Sequence, residues 1–143
     1  MNYVAGFVFS ADRKNIVLIR KNKPLWQMGK LNGVGGKLLK CEPPQAGMYR
    51  EFLEEAGVGV SLDRWREFCV LRGDFGAVHF FMLIDQDVYD FARTTEKEKI
   101  VKVPVKNLER RKIIPNLKWL IPMALSETEI VTAEVQVASD PTD

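Results

Sequence analysis

At 143 residues the chain is long enough for one ordinary domain and too short for two, so any active site lies within a single core or between copies of it. Its 46% apolar and 28% charged residues match an average globular protein and exclude a disordered, collagen-like or coiled-coil chain. With 21 basic and 19 acidic side chains, the net charge of +2 is too slight for a dedicated binder of nucleic-acid polymers or membrane surfaces. Two cysteines, Cys41 and Cys69, allow at most one bridge, which a domain of this apolar content does not need, so a reducing compartment is expected. The first residues reach Asp12 and Arg13 before a signal-length apolar segment accumulates, and the apolar runs at 80–84 and 119–125 fall far short of the roughly 18 residues of a membrane span. A soluble, cytoplasmic protein is the expectation.

Residues 3–9 and 16–19 are rich in β-branched and aromatic side chains and flank a polar cluster, which predicts a hairpin. Residues 21–36 break into Lys, Asn, Pro and Gly, including Gly33-Val34-Gly35-Gly36, and predict a long irregular surface loop. Pro43 and Pro44 suit the first turn of a helix and Gly57 the left-handed position past its end, so a helix of about four turns is expected between them. A second hairpin is expected from 66–72 and 77–84 around the turn at 73–76, and a short edge strand from 100–105, limited by Pro104. Residues 117–125 have the apolar density of a packed helix, with Pro122 as a kink and Trp119 as a core anchor. The expected organisation is one mixed α/β domain over 1–136 and a frayed tail over 137–143.

The predicted helix carries Glu51, Glu54 and Glu55, at i, i+3 and i+4, which brings three carboxylates together on one face. Ala46, Tyr49, Phe52, Leu53 and Ala56 share another sector, so the acids are expected to stand clear of the core. Like charges at these spacings, near the negative end of the helix dipole, destabilise the helix, and a bound cation would relieve them. An oxygen-only donor set suits hard Mg²⁺ or Mn²⁺, which keep waters and substrate phosphates as further ligands, and the implied substrate is a phosphate ester or anhydride. The same acids also suit an ordinary solvated helix face, and spacing alone does not choose.

A wider window chooses. Gly36, Glu42 and the run Arg50-Glu51-Phe52-Leu53-Glu54-Glu55-Ala56-Gly57-Val58 resemble the Nudix box, G-x5-E-x7-R-E-U-x-E-E-x-G-U with U apolar, and every fixed position matches. Chance would supply such a match in roughly one chain of this length in 10⁷. The resemblance covers residues 36–58 and implies the Nudix α/β/α sandwich with a mixed β-sheet, and hydrolysis of a nucleoside diphosphate linked to another group.

Carried over residue by residue, the resemblance makes Glu51, Glu54 and Glu55 metal carboxylates, with Glu54 and Glu51 the catalytic pair and Glu54 the candidate base. Glu42 and Arg50 match a structural ion pair, and Gly57 serves the helix end. Gly35 and Gly36 are expected to turn with positive φ, and the Gly35 carbonyl matches a metal-coordinating position. A further carboxylate from outside the box is expected at Glu98 or Glu96, and Glu98 is assigned to the metal set. Residues 26–37, with Leu31-Asn32-Gly33-Val34-Gly35-Gly36-Lys37, resemble the MutT-like and oxidised-purine nucleoside triphosphatases, in which an asparagine matching Asn32 contacts the base. Residues 114–122 resemble the late helix of the same subgroup and add Asn116, although Ile114, Asn116 and Leu117 stand where some oxidised-purine enzymes have an aromatic residue and paired aspartates.

The expected activity is therefore metal-dependent pyrophosphohydrolysis of a nucleoside triphosphate, an 8-oxo-dGTP-like one among the candidates, to monophosphate and pyrophosphate. Hydrolysis of ADP-ribose, a nucleotide sugar or a dinucleotide is the alternative within the family, and a non-catalytic nucleotide sensor the alternative outside it. The resemblance also implies a homodimer as the assembly.

Overall fold

The computed structural model describes residues 1–126 and 133–136. Among them, eight strands form one mixed sheet: β1 (Asn2–Phe9), β2 (Asn15–Arg20), β3 (Leu31–Asn32), β4 (Val34–Lys37), β5 (Arg66–Gly73), β6 (Gly76–Ile84), β7 (Lys99–Pro104) and β8 (Ala133–Gln136). Three helices accompany it, α1 (Pro44–Ala56), α2 (Gln86–Phe91) and α3 (Leu117–Ala124). The central path runs β3-β2-β1-β6-β5-β8, with β1–β6 and β5–β8 parallel and the other pairs antiparallel. Both expected hairpins form, and β7 pairs with β2 alone and ends at Pro104. The expected tail at 137–143 lies outside the described residues.

Alternating side chains give the sheet two apolar faces. On one, Phe7, Phe9, Leu18, Phe68 and Phe80 pack with Leu117, Leu120 and Ile121 of α3, and the Phe7 and Phe80 rings stack at 6.1 Å. On the other, Val4, Val8, Val17 and Phe81 pack with Met48, Phe52 and Ala56 of α1 and Val88 of α2. The result is the expected α/β/α sandwich. Trp119 departs from expectation: Leu117, Leu120, Ile121 and Ala124 are the buried stripe of α3, and their helical spacing leaves Trp119 38% exposed, outside the core.

The glycine-rich stretch is also more ordered than its composition suggests. Only its first part is a loop; β3 pairs with the end of β2 and β4 with the start of β1, so residues 31–37 wedge into the fork where β1 and β2 part. Gly33 sits between the two pairings, where an added Cβ would come within 2.9 Å of the Phe7 ring and 3.3 Å of the Ala5 Cβ.

Candidate active site

The helix that carries the acids begins and ends as its sequence requires. Pro43 is the N-cap residue and Pro44 opens the first turn, where a missing N–H costs nothing, while Gly57 takes the left-handed conformation at φ 75° and donates its N–H to Leu53. Its buried face differs from the expected one: Gly47, Met48, Glu51, Phe52 and Ala56 point inward, and Tyr49 and Leu53 are exposed. Close approach to β1 causes the rotation, because the Met48 side chain fills the space that a Cβ on Gly6 would take. Glu51 is thereby carried inward to 8% exposure, although all three acids were expected to stand clear of the core.

Gly36 is where the Glu51 carboxylate rests. A Cβ on Gly36 would lie 2.7 Å from Glu51 Oε1 and 2.9 Å from Oε2, so a side chain there would evict the carboxylate. Gly35 is pressed just as closely against β1, with an added Cβ 1.9 Å from the Val4 carbonyl oxygen. Neither glycine has the expected positive φ; both lie in β4, and it is lack of space that demands them.

Arg50 gathers the first half of the site. Its Nε and Nη2 each donate to Glu42 at 2.8 Å, a bidentate pair that ties the loop before α1 to the helix, and Nη2 also reaches the Lys37 carbonyl at 3.2 Å. Nη1 donates to Glu51 at 2.9 Å and to Glu54 at 3.3 Å, bringing those two carboxylates around one nitrogen. The Arg50 bonds hold the Glu42 carboxyl down at about 2 against the opposing effect of burial. Burial raises Glu51 above the ordinary carboxylate range, outweighing Arg50, with the Glu54 and Glu42 charges acting in the same direction as burial.

The second half is an acidic corner beyond the end of α1. Arg93 donates its backbone N–H to the Ala56 carbonyl and Thr95 its hydroxyl to the Glu54 carbonyl, so the segment after α2 wraps the helix terminus and carries Glu96 and Glu98 toward Glu55. Burial first, then the charges of Glu96, Glu51 and Glu98, push Glu55 up to about 7, and Lys21 offsets only part of this. Glu98 is held by Lys21 Nζ at 2.9 Å and by the Asn22 backbone N–H at 2.5 Å. Burial works to raise Glu98, yet these bonds leave it below the usual range.

The two asparagines come from β3 and from the start of α3. Leu31 donates to the Lys112 carbonyl and accepts from the Ile114 N–H, which sets β3 beside the approach to α3 and places Asn32 and Asn116 on adjoining segments. Asn32 Oδ1 accepts from the Gly33 N–H at 2.8 Å, and its Nδ2 donates to Gln27 Oε1 at 3.2 Å. Asn116 is the N-cap residue of α3 but makes no capping bond, and its Oδ1 is buried without a partner among the described residues.

The donor set is all oxygen and suits a hard divalent cation, with Glu51 seated in a cradle only glycine leaves open. Among the described residues no three acidic, His or Cys side chains are already closed around one point, since Arg50 engages Glu51 and Glu54 and Lys21 engages Glu98. The acids thus form an open basin whose charge is only partly balanced. Sequence reasoning missed Lys21 and Gln27: Lys21 reads as an ordinary basic loop residue, and its partner lies 77 positions away.

No family model and no curated protein matches the sequence. Solved structures do match the fold. MutT from Bacillus halodurans superposes at TM-score 0.68 with 16% identity, over 90% of this chain and 84% of that one. A MutT structure from work on the Aliivibrio salmonicida and Vibrio cholerae enzymes gives 0.66 with 18% identity, over 88% and 97%. The NUDIX domain of Shewanella oneidensis NrtR, in complex with ADP ribose, gives 0.66 with 13% identity, over 87% and 85%.

Proposed function

We propose, from the premise that this chain has the Nudix fold, that it is a Mg²⁺-dependent pyrophosphohydrolase acting on a nucleoside triphosphate, an oxidised purine nucleotide among the candidates. The observation that carries the reading is the basin itself: Glu51 seated under Gly36, Glu54 beside it on Arg50, and Glu55 raised to about 7 by burial and its acidic neighbours. Such a basin needs positive charge, and a substrate diphosphate needs it too.

Glu51, Glu54 and Glu55 would hold the cation, with the Gly35 carbonyl and Glu98 or Glu96 at its border. When bound, a divalent cation there supplies charge neutralisation on the diphosphate and acidifies an attacking water. Glu54, exposed on the same helix, would take that water's proton, while Glu51 is fixed by burial and by Arg50. Water adds at the phosphorus, the α–β anhydride P–O bond breaks, and monophosphate and pyrophosphate leave. Glu42 and Arg50 hold the loop against the helix. Asn32 and Asn116 would offer amides to a base, and the Oδ1 of Asn116, which has no partner among the described residues, is an acceptor open to a donor.

ADP-ribose or a nucleotide sugar is the second reading, favoured by the likeness to the NrtR domain in complex with ADP ribose. A Mg²⁺-dependent panel of canonical and oxidised triphosphates, ADP-ribose, nucleotide sugars and dinucleotides, with Glu54→Gln alongside, decides between them. Monophosphate and pyrophosphate from a triphosphate, lost in the variant, are expected. Turnover of ADP-ribose or a sugar nucleotide alone would move the protein to the second reading. Nucleotide binding without any turnover would make it a sensor.

A further inference from the structure

The ends of β2 and β7 bring a cation and a carboxylate face to face. Their antiparallel ladder pairs Ile19 with Ile100 and Arg20 with Lys99, so the next two positions, Lys21 and Glu98, meet just beyond its last rung. Alternation carried one step further puts them on the face of Ile19 and Ile100, which is the α1 face of the sheet. There Lys21 Nζ donates to Glu98 Oε1 at 2.9 Å, with the two side chains only 18% and 13% exposed. The backbone holds the pair in place. Lys21 donates its N–H to the Lys30 carbonyl and accepts from the Gly29 N–H, while Asn22 Nδ2 donates to the Lys97 carbonyl.

This pair is built differently from the clasp at Arg50. Arg50 meets both oxygens of Glu42 with a planar fork, whereas Lys21 brings one point charge on a flexible stem to one oxygen of Glu98. The other oxygen, Oε2, is held by the Asn22 backbone N–H. Withdrawing the ammonium would therefore leave Glu98 anchored through Oε2 and free at Oε1. The charges of Glu98 and Lys21 both act on the Glu55 carboxyl, in opposite senses, which places the pair within the acidic corner rather than on a remote surface. An ordinary surface pair adds little to stability, but a lysine beside a cation basin does something else. It is a resident positive charge where a divalent ion is proposed to bind.

We infer that Lys21 is a positioning residue that competes with the divalent cation for Glu98, taking up Oε1 in the metal-free chain and so lowering the affinity of the basin for the ion. An oxygen that carries an ammonium at hydrogen-bond distance cannot also ligate a divalent ion without drawing two positive charges together, so ligation through Oε1 requires the ion pair to open. Simple repulsion between Lys21 and a bound cation acts as well, and it does not depend on Glu98. That difference separates competition from a field effect. The inference rests on the basin holding a cation, as proposed above, but not on hydrolysis, on the base or on the leaving group.

The test is Mn²⁺ binding without nucleotide, followed by electron paramagnetic resonance, to the wild type, Lys21→Met, Glu98→Gln and the double variant. Lys21→Met is expected to bind its tightest Mn²⁺ about tenfold more tightly than the wild type, and the same substitution in the Glu98→Gln background to change the affinity by less than about threefold. Lys21→Arg keeps the charge and is expected to stay within about threefold of the wild type. Urea denaturation in EDTA checks that each variant is folded, and Lys21→Gln, also neutral, replaces Lys21→Met if that one is not. Unchanged or weaker binding in the neutral variant would overturn the inference, and so would an equal gain in both backgrounds, which would reduce Lys21 to a source of repulsion. Mn²⁺ bound by none of the proteins would overturn it together with the proposed cation site. Absence of hydrolysis with the dependence on Glu98 intact would overturn the proposed activity alone.

Discussion

Glu42 and Glu55 are the same residue type, one just before α1 and one in its last turn, and the chain treats them in opposite ways. Arg50 grips Glu42 with two bonds of 2.8 Å and the Leu39 N–H adds a third at 3.0 Å, so the carboxylate is ionised far below its ordinary range, at about 2. Glu55 is half-buried beside Glu96, Glu51 and Glu98, with Lys21 in partial opposition, and rises to about 7. The first site is complete within the chain. Among the described residues, the second keeps an excess of negative charge that a bound cation would balance. The nine specified or apolar positions of the motif thus divide into residues that fold the loop and residues proposed to hold a ligand, with Glu51 touching both sets.

That division is broken most severely at Gly36. A methyl group there would sit 2.7 Å from Glu51 Oε1 in a strand that is hydrogen-bonded to β1 and has little freedom to retreat. Gly36→Ala is expected to lower turnover by about 100-fold, equivalent to about 2.7 kcal/mol, because it displaces the carboxylate proposed above to hold the cation while leaving every acid in the sequence. Steady-state kinetics at saturating Mg²⁺ would show it, and wild-type turnover would mean that the seat under Gly36 has no role in the chemistry. Next in size is the clasp. Arg50→Met removes the bonds to Glu42, Glu51, Glu54 and Lys37 at once and leaves Glu42 half-buried and unpaired, so a loss of about 2–3 kcal/mol in urea denaturation is expected. A stability change no larger than that of an exposed surface pair, under about 1 kcal/mol, would place Arg50 with the functional residues instead.

How far the sequence foretold this division follows from how local each interaction is. The helix was legible at both ends because Pro44 and Gly57 act on their own backbone, and the acids because their spacing is helical. The hairpins were legible from β-branched and aromatic runs, flanking a polar cluster in the first and a turn with two glycines in the second. Short β3 and β4 were not, since Asn, Val and glycines become strands there only by fitting the fork between β1 and β2, which is a property of the sheet. Six-residue α2 was too brief to announce itself, although Asp85 caps it by accepting the Val88 N–H. Burial of Glu51 escaped the periodicity argument because Met48, pressed against Gly6, sets the helix's rotation. The pairing of Lys21 with Glu98 and the bond from Asn32 to Gln27 are decided by folded positions, and neither leaves a mark in composition or spacing.

The smallest expected effect isolates the acidic corner. A carboxyl whose value rises from 4.5 in the open chain to about 7 in the fold binds its proton more tightly when folded. Its contribution to stability is therefore full below about pH 4.5 and is lost as pH rises through about 7. In metal-free protein, Glu55→Gln should match the wild type near pH 4.5 and exceed it by about 1 kcal/mol at pH 8, solvent screening of the half-exposed corner reducing the larger value that the shift alone would give. Chemical denaturation of both proteins at a series of pH values in the presence of EDTA reads this difference directly. Mg²⁺ should then abolish the advantage by stabilising the wild type more than the variant, because the cation favours the ionised carboxylate that the variant lacks. A difference that stays flat with pH would show that Glu55 is already balanced within the chain as Glu42 is, and the contrast between the two ends of the helix would disappear.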